Sequence, residues 1–316
     1  MATPPSQLEA GLVIAGHGRH VWVETPDGRR LICHPRGKKS QTVVGDRVLW
    51  QASEDEGTIE KVEPRRNLFY RQDEIRTKSF AANLDQVLIL IAAEPEFSES
   101  QLSRALIAAE AEHIRPIIAL NKSDLAEPFQ RAWQRMAIYR NMGYTVLPMA
   151  LKPRGDAHPD TEHHLDAVLV GKTTLVLGPS GSGKSTLINR LIPEAQVLTN
   201  AISTALNSGK HTTTSTTLYW VDTTRTTAVI DSPGFQEFGL NHIEPMHLAS
   251  LMPDIKAHAT DCKFYNCSHL HEPGCGVIAA LQKSSDGFLP PGPHEISTNR
   301  YKIYSNLFAE LSQKRY

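Results

Sequence analysis

Two rhythms of apolar residues divide this chain. In the first part, short apolar runs at 12–14, 21–24, 31–34, 43–51 and 57–62 are separated by turn residues, among them Pro26-Asp27-Gly28 and Gly45-Asp46. The triplet is a hairpin signature, and the Gly-Asp pair marks a tight bend or bulge. Five short strands in that span predict a small β-barrel, with an OB-fold the first choice and an SH3-like barrel the second. Beyond Asp85 the rhythm changes: strand-like runs at 87–93, 117–120, 145–148 and 173–177 alternate with stretches of helical period. Ser98, with Gln101 three residues on, forms a capping box before a helix that turns Leu102, Ala105, Leu106 and Ala109 inward. Residues 129–141 predict a second helix, and 152–164, with Pro, Gly and His but no period, read as a loop. Alternating strands and helices predict an α/β domain. Near the end, 300–314 predict a helix with Tyr304, Leu307, Phe308 and Leu311 on one face, best explained by packing. The expected domains are a barrel at 1–72, an α/β domain at 73–240 and a mostly helical C-terminal domain at 241–316.

Chemistry enters first at Gly178-Pro179-Ser180-Gly181-Ser182-Gly183-Lys184-Ser185, which has the G-x4-G-K-[ST] spacing of a phosphate-binding loop between the strand at 173–177 and a helix at 186–191. Its glycines let backbone N–H groups point inward, and the helix N-terminus adds partial positive charge. Lys184 reaches the terminal phosphates and the Ser185 hydroxyl faces Mg2+, with Thr186 counted among the nucleotide contacts. ATP and GTP share these phosphates, so the base must be read elsewhere. Asn121-Lys122-Ser123-Asp124 follows the run 116–120 and is similar to the Asn-Lys-x-Asp motif of GTPases. There Asp124 accepts from guanine N1–H and N2–H2, a pairing that adenine cannot reproduce. On turn chemistry alone the same residues would make an ordinary Asn/Asp turn.

Asp231-Ser232-Pro233-Gly234 ends the run 228–230 and matches the D-x-x-G pattern of switch II, 47 residues beyond Lys184 (231 − 184). Between them, Gly209-Lys210-His211-Thr212-Thr213-Thr214 occupies the switch I position. Alignment with related GTPases sets Thr213 as the hydroxyl that completes the Mg2+ shell; the plain alternative is an exposed polar loop. Phe235 stands where many GTPases carry the glutamine that orients the attacking water. His211 is therefore the expected water-positioning group, with contact to RNA or solvent as its alternative. The base-reading motif precedes the phosphate loop, the reverse of the ordinary GTPase order, so the expected fold is a circularly permuted α/β P-loop GTPase. A parallel sheet allows this, because nucleotide loops meet at strand ends in whatever order the chain visits them.

Cys262-x4-Cys267-x-His269-x5-Cys275 offers three thiolates and an imidazole within 14 residues, a tetrahedral zinc set that leaves no position for water and is therefore structural. His271 competes with His269 for the fourth place. Disulfides are disfavoured, since Cys33 is the only other cysteine, no secretory signal is read, and P-loop enzymes work in a reducing cytosol. The net charge of −1, from 33 basic and 34 acidic residues, predicts no partner. Locally, Arg19, Arg29, Arg30, Arg36, Lys38, Lys39 and Arg47 outnumber Glu24, Asp27 and Asp46, a modest basic face that fits nucleic acid or a merely solvated barrel surface. The longest strongly apolar run, 87–93, has seven residues. A membrane span needs about twenty, so none is expected.

The barrel, the permuted order, the Gly-Lys-His-Thr-Thr-Thr switch and the Cys-x4-Cys-x-His-x5-Cys finger ending in Glu272-Pro273-Gly274-Cys275 together resemble the RsgA family of small-subunit ribosome biogenesis GTPases, over roughly residues 8–311. The resemblance implies a bacterial, cytoplasmic GTPase, expected as a monomer. It would bind the small (30S) ribosomal subunit and its rRNA late in maturation, hydrolyse GTP to GDP and phosphate when stimulated by it, and leave. It favours His269 over His271. One departure is visible: where the family's base-contacting loop usually offers Ser-Ala, this chain has Met149-Ala150, so the expectation kept is the Ala150 N–H to guanine O6. Two other readings stand beside it. One is a GTP-gated RNA-binding module whose hydrolysis is incidental; the other is a GTPase acting on another RNA or on a metallocentre.

Overall fold

The computed structural model describes residues 8–17, 20–37, 42–53, 56–152, 160–195, 216–234, 238–281 and 295–313. The chain forms two compact units, one drawn from Met1–Tyr70, Lys78–Leu90 and His158–Gln236, the other from Arg71–Thr77, Ile91–Ala157 and Glu237–Tyr316.

The first unit begins with the barrel. Strands β1 (Glu9–His17), β2 (His20–Glu24), β3 (Arg30–Pro35), β4 (Arg47–Ala52) and β5 (Gly57–Val62) close in the order β1-β2-β3-β5-β4, with β1 returning to β4. All pairs are antiparallel except β3 with β5, the connectivity of an OB-fold. Alternate residues of these strands supply the core: Val13, Val21, Val23, Cys33, Val48, Trp50 and Ile59. The predicted bend at Gly45-Asp46 is present, and buried Asp46 takes two bonds from Arg65, at 2.7 and 2.8 Å. Of the seven basic residues of the expected basic face, Arg19, Lys38 and Lys39 lie outside the described residues, and three of the others have acidic partners. Arg29 pairs with Asp27 and Glu9, Arg30 with Glu24, and Arg36 with Glu60. Glu9 and Glu60 lie outside the counted window and reach these arginines only because the strands are folded together.

A hairpin, β6 (Leu68–Gln72) with β7 (Thr77–Ala82), follows, then the fully buried β8 (Gln86–Ala92). The chain continues through α1 (Glu99–Ala111), β9 (Arg115–Asn121), α2 (Ala126–Arg135), α3 (Ala137–Asn141), β10 (Thr145–Pro148), α4 (Asp160–Leu169), β11 (Thr173–Leu177), α5 (Lys184–Leu191), β12 (Thr217–Trp220) and β13 (Ala228–Asp231). Two expectations change here. The single helix at 129–141 is two helices that meet at Met136, and the loop expected at 152–164 is already helical from Asp160; residues 153–159 lie outside the described set. In the first unit β11 runs parallel to β8 on one side and to β13 on the other, and β12 is antiparallel to β13. The barrel is continuous with this sheet, because β1 bridges β12 at Ala15 and Thr217.

In the second unit β9 and β10 run parallel, in register from Ile117 and Thr145 to Leu120 and Pro148. A 3-10 helix (Pro245–Leu251), α6 (Pro253–Ala259), α7 (Gly276–Ala279) and α8 (Thr298–Leu311) make its C-terminal part mostly helical, as expected. The Ser297 hydroxyl caps α8, which buries Tyr304, Leu307 and Leu311 from the predicted face, together with Ile303 and Arg300. Arg300 donates to both Asp254 oxygens, at 2.7 and 3.0 Å, and to the Ser103 hydroxyl at 2.6 Å, tying α8 to α6 and α1. Removing one partner of such a buried pair costs about 3–5 kcal/mol, since the other charge is left unpaired. Among the described residues no helix is long and apolar enough to cross a membrane.

Candidate nucleotide site and metal centre

The residues expected to bind phosphate lie in the first unit. β11 ends at Leu177, the chain turns through Gly181 (φ +81°) and Gly183 (φ +101°), and α5 starts at Lys184. Both glycines stand in the left-handed region, which a side chain would strain, so the loop can curl its N–H groups inward. Ser182 is buried, Ser185 is exposed and Thr186 half-buried in the first turn of α5. Lys184 Nζ donates to Asp231 Oδ1 at 2.5 Å. Burial pushes the Asp231 carboxyl up from its ordinary value, and the Lys184 ammonium pulls it back. Asp231 is brought there by strand register, since it pairs with Val176 across β11 and β13. Ser232, fully buried, donates its hydroxyl to the Val176 carbonyl at 2.9 Å, and a Cβ on Gly234 would lie 3.4 Å from the Gly178 carbonyl oxygen. The two motifs are thus fastened at their roots. Sequence alone treated Ser232 as a turn residue; its anchoring role depends on a partner 56 residues away. His211 and Thr213, with the rest of 209–214, and Phe235 lie outside the described residues.

The residues expected to read the base lie in the second unit, at the carboxyl end of β9. Asn121 is buried, and its side-chain oxygen accepts from the Leu151 N–H at 3.1 Å. The Ser123 N–H donates to the Met149 carbonyl at 2.9 Å, and the Met149 N–H to the Leu120 carbonyl at 2.8 Å. Those bonds hold the chain on both sides of Ala150. Lys122 takes φ +71°, which turns the loop sharply before Asp124, itself half-buried. At the departure, the Met149 backbone makes the loop's bonds and its side chain is buried.

The cysteine cluster also belongs to the second unit. One ligand atom from each of Cys262, Cys267, His269 and Cys275 lies within 4.8 Å of the others. His269 Nδ1 is 3.4 Å from Cys262 Sγ and 3.5 Å from Cys275 Sγ, and those sulfurs are 3.8 Å apart. A tetrahedral ion with zinc's bond lengths sets ligand separations of about 3.8 Å between sulfurs and about 3.5 Å between sulfur and nitrogen, so the residues fit a metal ion. Burial pushes the Cys267 thiol up to about 12 and His269 down; a bound cation would reverse the thiol's preference. Gly276 N–H donates to Cys262 Sγ at 3.3 Å and Ile278 N–H to Cys275 Sγ at 3.5 Å, bonds that favour thiolates. His271 is exposed and outside the cluster. Glu272 accepts from Ser268 and from the Leu270 and His271 N–H groups, and these bonds outweigh burial to hold its carboxyl well below the usual range. Two hydroxyls of α8 support the knuckle, Tyr301 donating to the His269 carbonyl and Tyr304 to the Ser268 carbonyl, each at 2.9 Å.

The family model described as RsgA GTPase matches residues 62–241. The chain is 74% identical over 309 residues to a protein of Variovorax paradoxus described as small ribosomal subunit biogenesis GTPase RsgA, covering 98% of this chain and 94% of that one. A protein of the same description from Paraburkholderia phymatum is 49% identical over 305 residues, covering 96% and 92%. Among solved structures it is similar to YloQ, described as a circularly permuted GTPase, with a TM-score of 0.68, 29% identity and 98% of each chain covered. YjeQ from Thermotoga maritima gives a TM-score of 0.70 at 28% identity, covering 98% of this chain and 100% of that one.

Proposed function

Because the chain belongs to the RsgA GTPase family, we propose that this GTPase binds the small ribosomal subunit, assists its late maturation, hydrolyses GTP there and leaves with GDP. The barrel, taken as residues 1–72, is its rRNA-binding part; 73–240 form the permuted GTPase domain and 241–316 the metal-binding domain. It works in the cytoplasm as a monomer.

Lys184 binds the β- and γ-phosphates, within the N–H cradle of Gly178 to Ser185. Ser185 and Thr213 are the hydroxyls that would hold Mg2+, with Asp231 behind them; when bound, the ion neutralises charge developing between the β- and γ-phosphates. His211 orients the attacking water by accepting its hydrogen bond. Cys262, Cys267, His269 and Cys275 would hold one structural zinc ion.

The observation that carries the guanine assignment is the clamp on the base-contacting loop. Asn121 and Ser123 fix the chain on both sides of Ala150, so the Ala150 N–H meets guanine O6 while Asp124 takes N1–H and N2–H2. Adenine offers a donor at the O6 position and none at N1, which leaves the carboxylate unpaired. Isothermal titration should therefore show GTP and GDP binding at least about a hundredfold more tightly than ATP. Asp124→Asn should lose roughly a hundredfold for GTP and gain xanthosine triphosphate, whose C2 carbonyl meets the new amide. Equal wild-type affinities for GTP and ATP would overturn the assignment.

A further inference from the structure

The rRNA-binding reading of the barrel leaves open how an event on the barrel reaches the nucleotide. Within the first unit, one buried acid joins the two. Glu24 ends β2 and is 4% exposed. One of its oxygens accepts from Arg30 Nε at 2.7 Å; the other accepts from Trp220 Nε1 at 2.7 Å and lies 3.7 Å from Arg225 Nη1. Arg30 belongs to the barrel and its side chain is about one-third exposed, whereas Trp220 and Arg225 belong to the β12–β13 hairpin. That hairpin leads from the expected switch I segment into Asp231, the partner of Lys184.

Three further contacts make the joint tight. β1 bridges β12 at Ala15 and Thr217, Arg225 donates to the Pro26 carbonyl at 3.5 Å, and its guanidinium lies over Gly28. A Cβ at Gly28, where φ is +90°, would fall 2.1 Å from Arg225 Nη2, so the barrel turn is shaped to receive this arginine. The hairpin turn is stiff on its own account, with Asp222 accepting from the Thr226 and Thr227 N–H groups.

We propose that Glu24 is a positioning residue that couples the barrel's Arg30 to the β12–β13 hairpin, so that a nucleic-acid phosphate engaging Arg30 is felt at Asp231. A phosphate competes for the guanidinium that now neutralises Glu24 from the barrel side. A buried carboxylate deprived of one cation draws on its remaining partners, Arg225 and Trp220, and both are fixed to the hairpin. Glu24 touches neither nucleotide nor RNA; it acts through the strand that carries Asp231.

The test uses the full chain with purified small ribosomal subunits and two variants. Glu24→Gln keeps an acceptor for Trp220 but removes the shared charge; Trp220→Phe keeps the ring and removes the donor. Both should retain the wild-type melting temperature within a few degrees, the intrinsic hydrolysis rate within twofold and the subunit affinity of the GDP form. Subunit-stimulated single-turnover hydrolysis should fall about tenfold, and the ratio of subunit affinities between a non-hydrolysable GTP analogue and GDP should shrink by a similar factor, since coupling is reciprocal. A merely structural role would lower stability and intrinsic rate together. Full stimulation of both variants overturns this inference and leaves the proposed function standing. A wild-type chain that does not bind small subunits overturns both.

Discussion

Lys184→Ala is expected to lower single-turnover GTP hydrolysis by about a thousandfold, the scale seen when one preorganised charge is removed from a developing anion. The variant loses more than a phosphate ligand, because Lys184 is also the ion-pair partner of buried Asp231. Left alone, that carboxyl rises further above its ordinary value. The folded state then holds a proton that the unfolded chain gives up, so stability is highest in acid and falls as pH rises past the ordinary carboxylate range. At neutral pH the loss should be on the order of 3 kcal/mol. Adding Asp231→Asn to Lys184→Ala should restore the stability but not the hydrolysis. Urea denaturation at several pH values and phosphate release separate the two effects. Wild-type turnover in Lys184→Ala would refute the phosphate role.

Removing the metal should have the largest structural effect. With a metal bound, four ligands in a small helical region would supply energy that its core cannot, since structural zinc contributes on the order of 10 kcal/mol to isolated fingers. Elemental analysis should find about one zinc per chain, as a closed Cys3His set requires. Chelation, or Cys275→Ser, should raise amide exchange through 262–281 and in α8, whose Tyr301 and Tyr304 hold the knuckle, while nucleotide affinity stays within a few fold. Stoichiometric disulfides, or unchanged exchange after chelation, would contradict the site.

The motifs were legible because their chemistry sits in consecutive residues. Glycines, Lys184 and Ser185 must be neighbours to wrap a phosphate, and three cysteines with a histidine that are to share a metal ion stand within 14 residues. The barrel was legible too, since each strand writes its own apolar run. What escaped depends on contacts far along the chain. β1 bridges β12 at Ala15 and Thr217, about 200 positions apart, and neither stretch announces the other. Nothing near Arg300 announces that Asp254 and Ser103 will bury its charge, and nothing near Glu24 announces Trp220. Arg29 and Arg36 of the expected basic face pair with Glu9 and Glu60, acids that lie outside the stretch in which the charges were counted. At Met136 the helix breaks without a proline or glycine to mark it.

As proposed, this GTPase is guanine-specific and is switched on by the small ribosomal subunit. The direct measurement is single-turnover GTP hydrolysis by the wild-type chain alone, with saturating small subunits, and with saturating large subunits. With Phe235 in place of a water-orienting glutamine, the free protein should be slow, and small subunits alone should accelerate it by roughly a hundredfold or more. A rate that is the same in all three reactions would contradict the account.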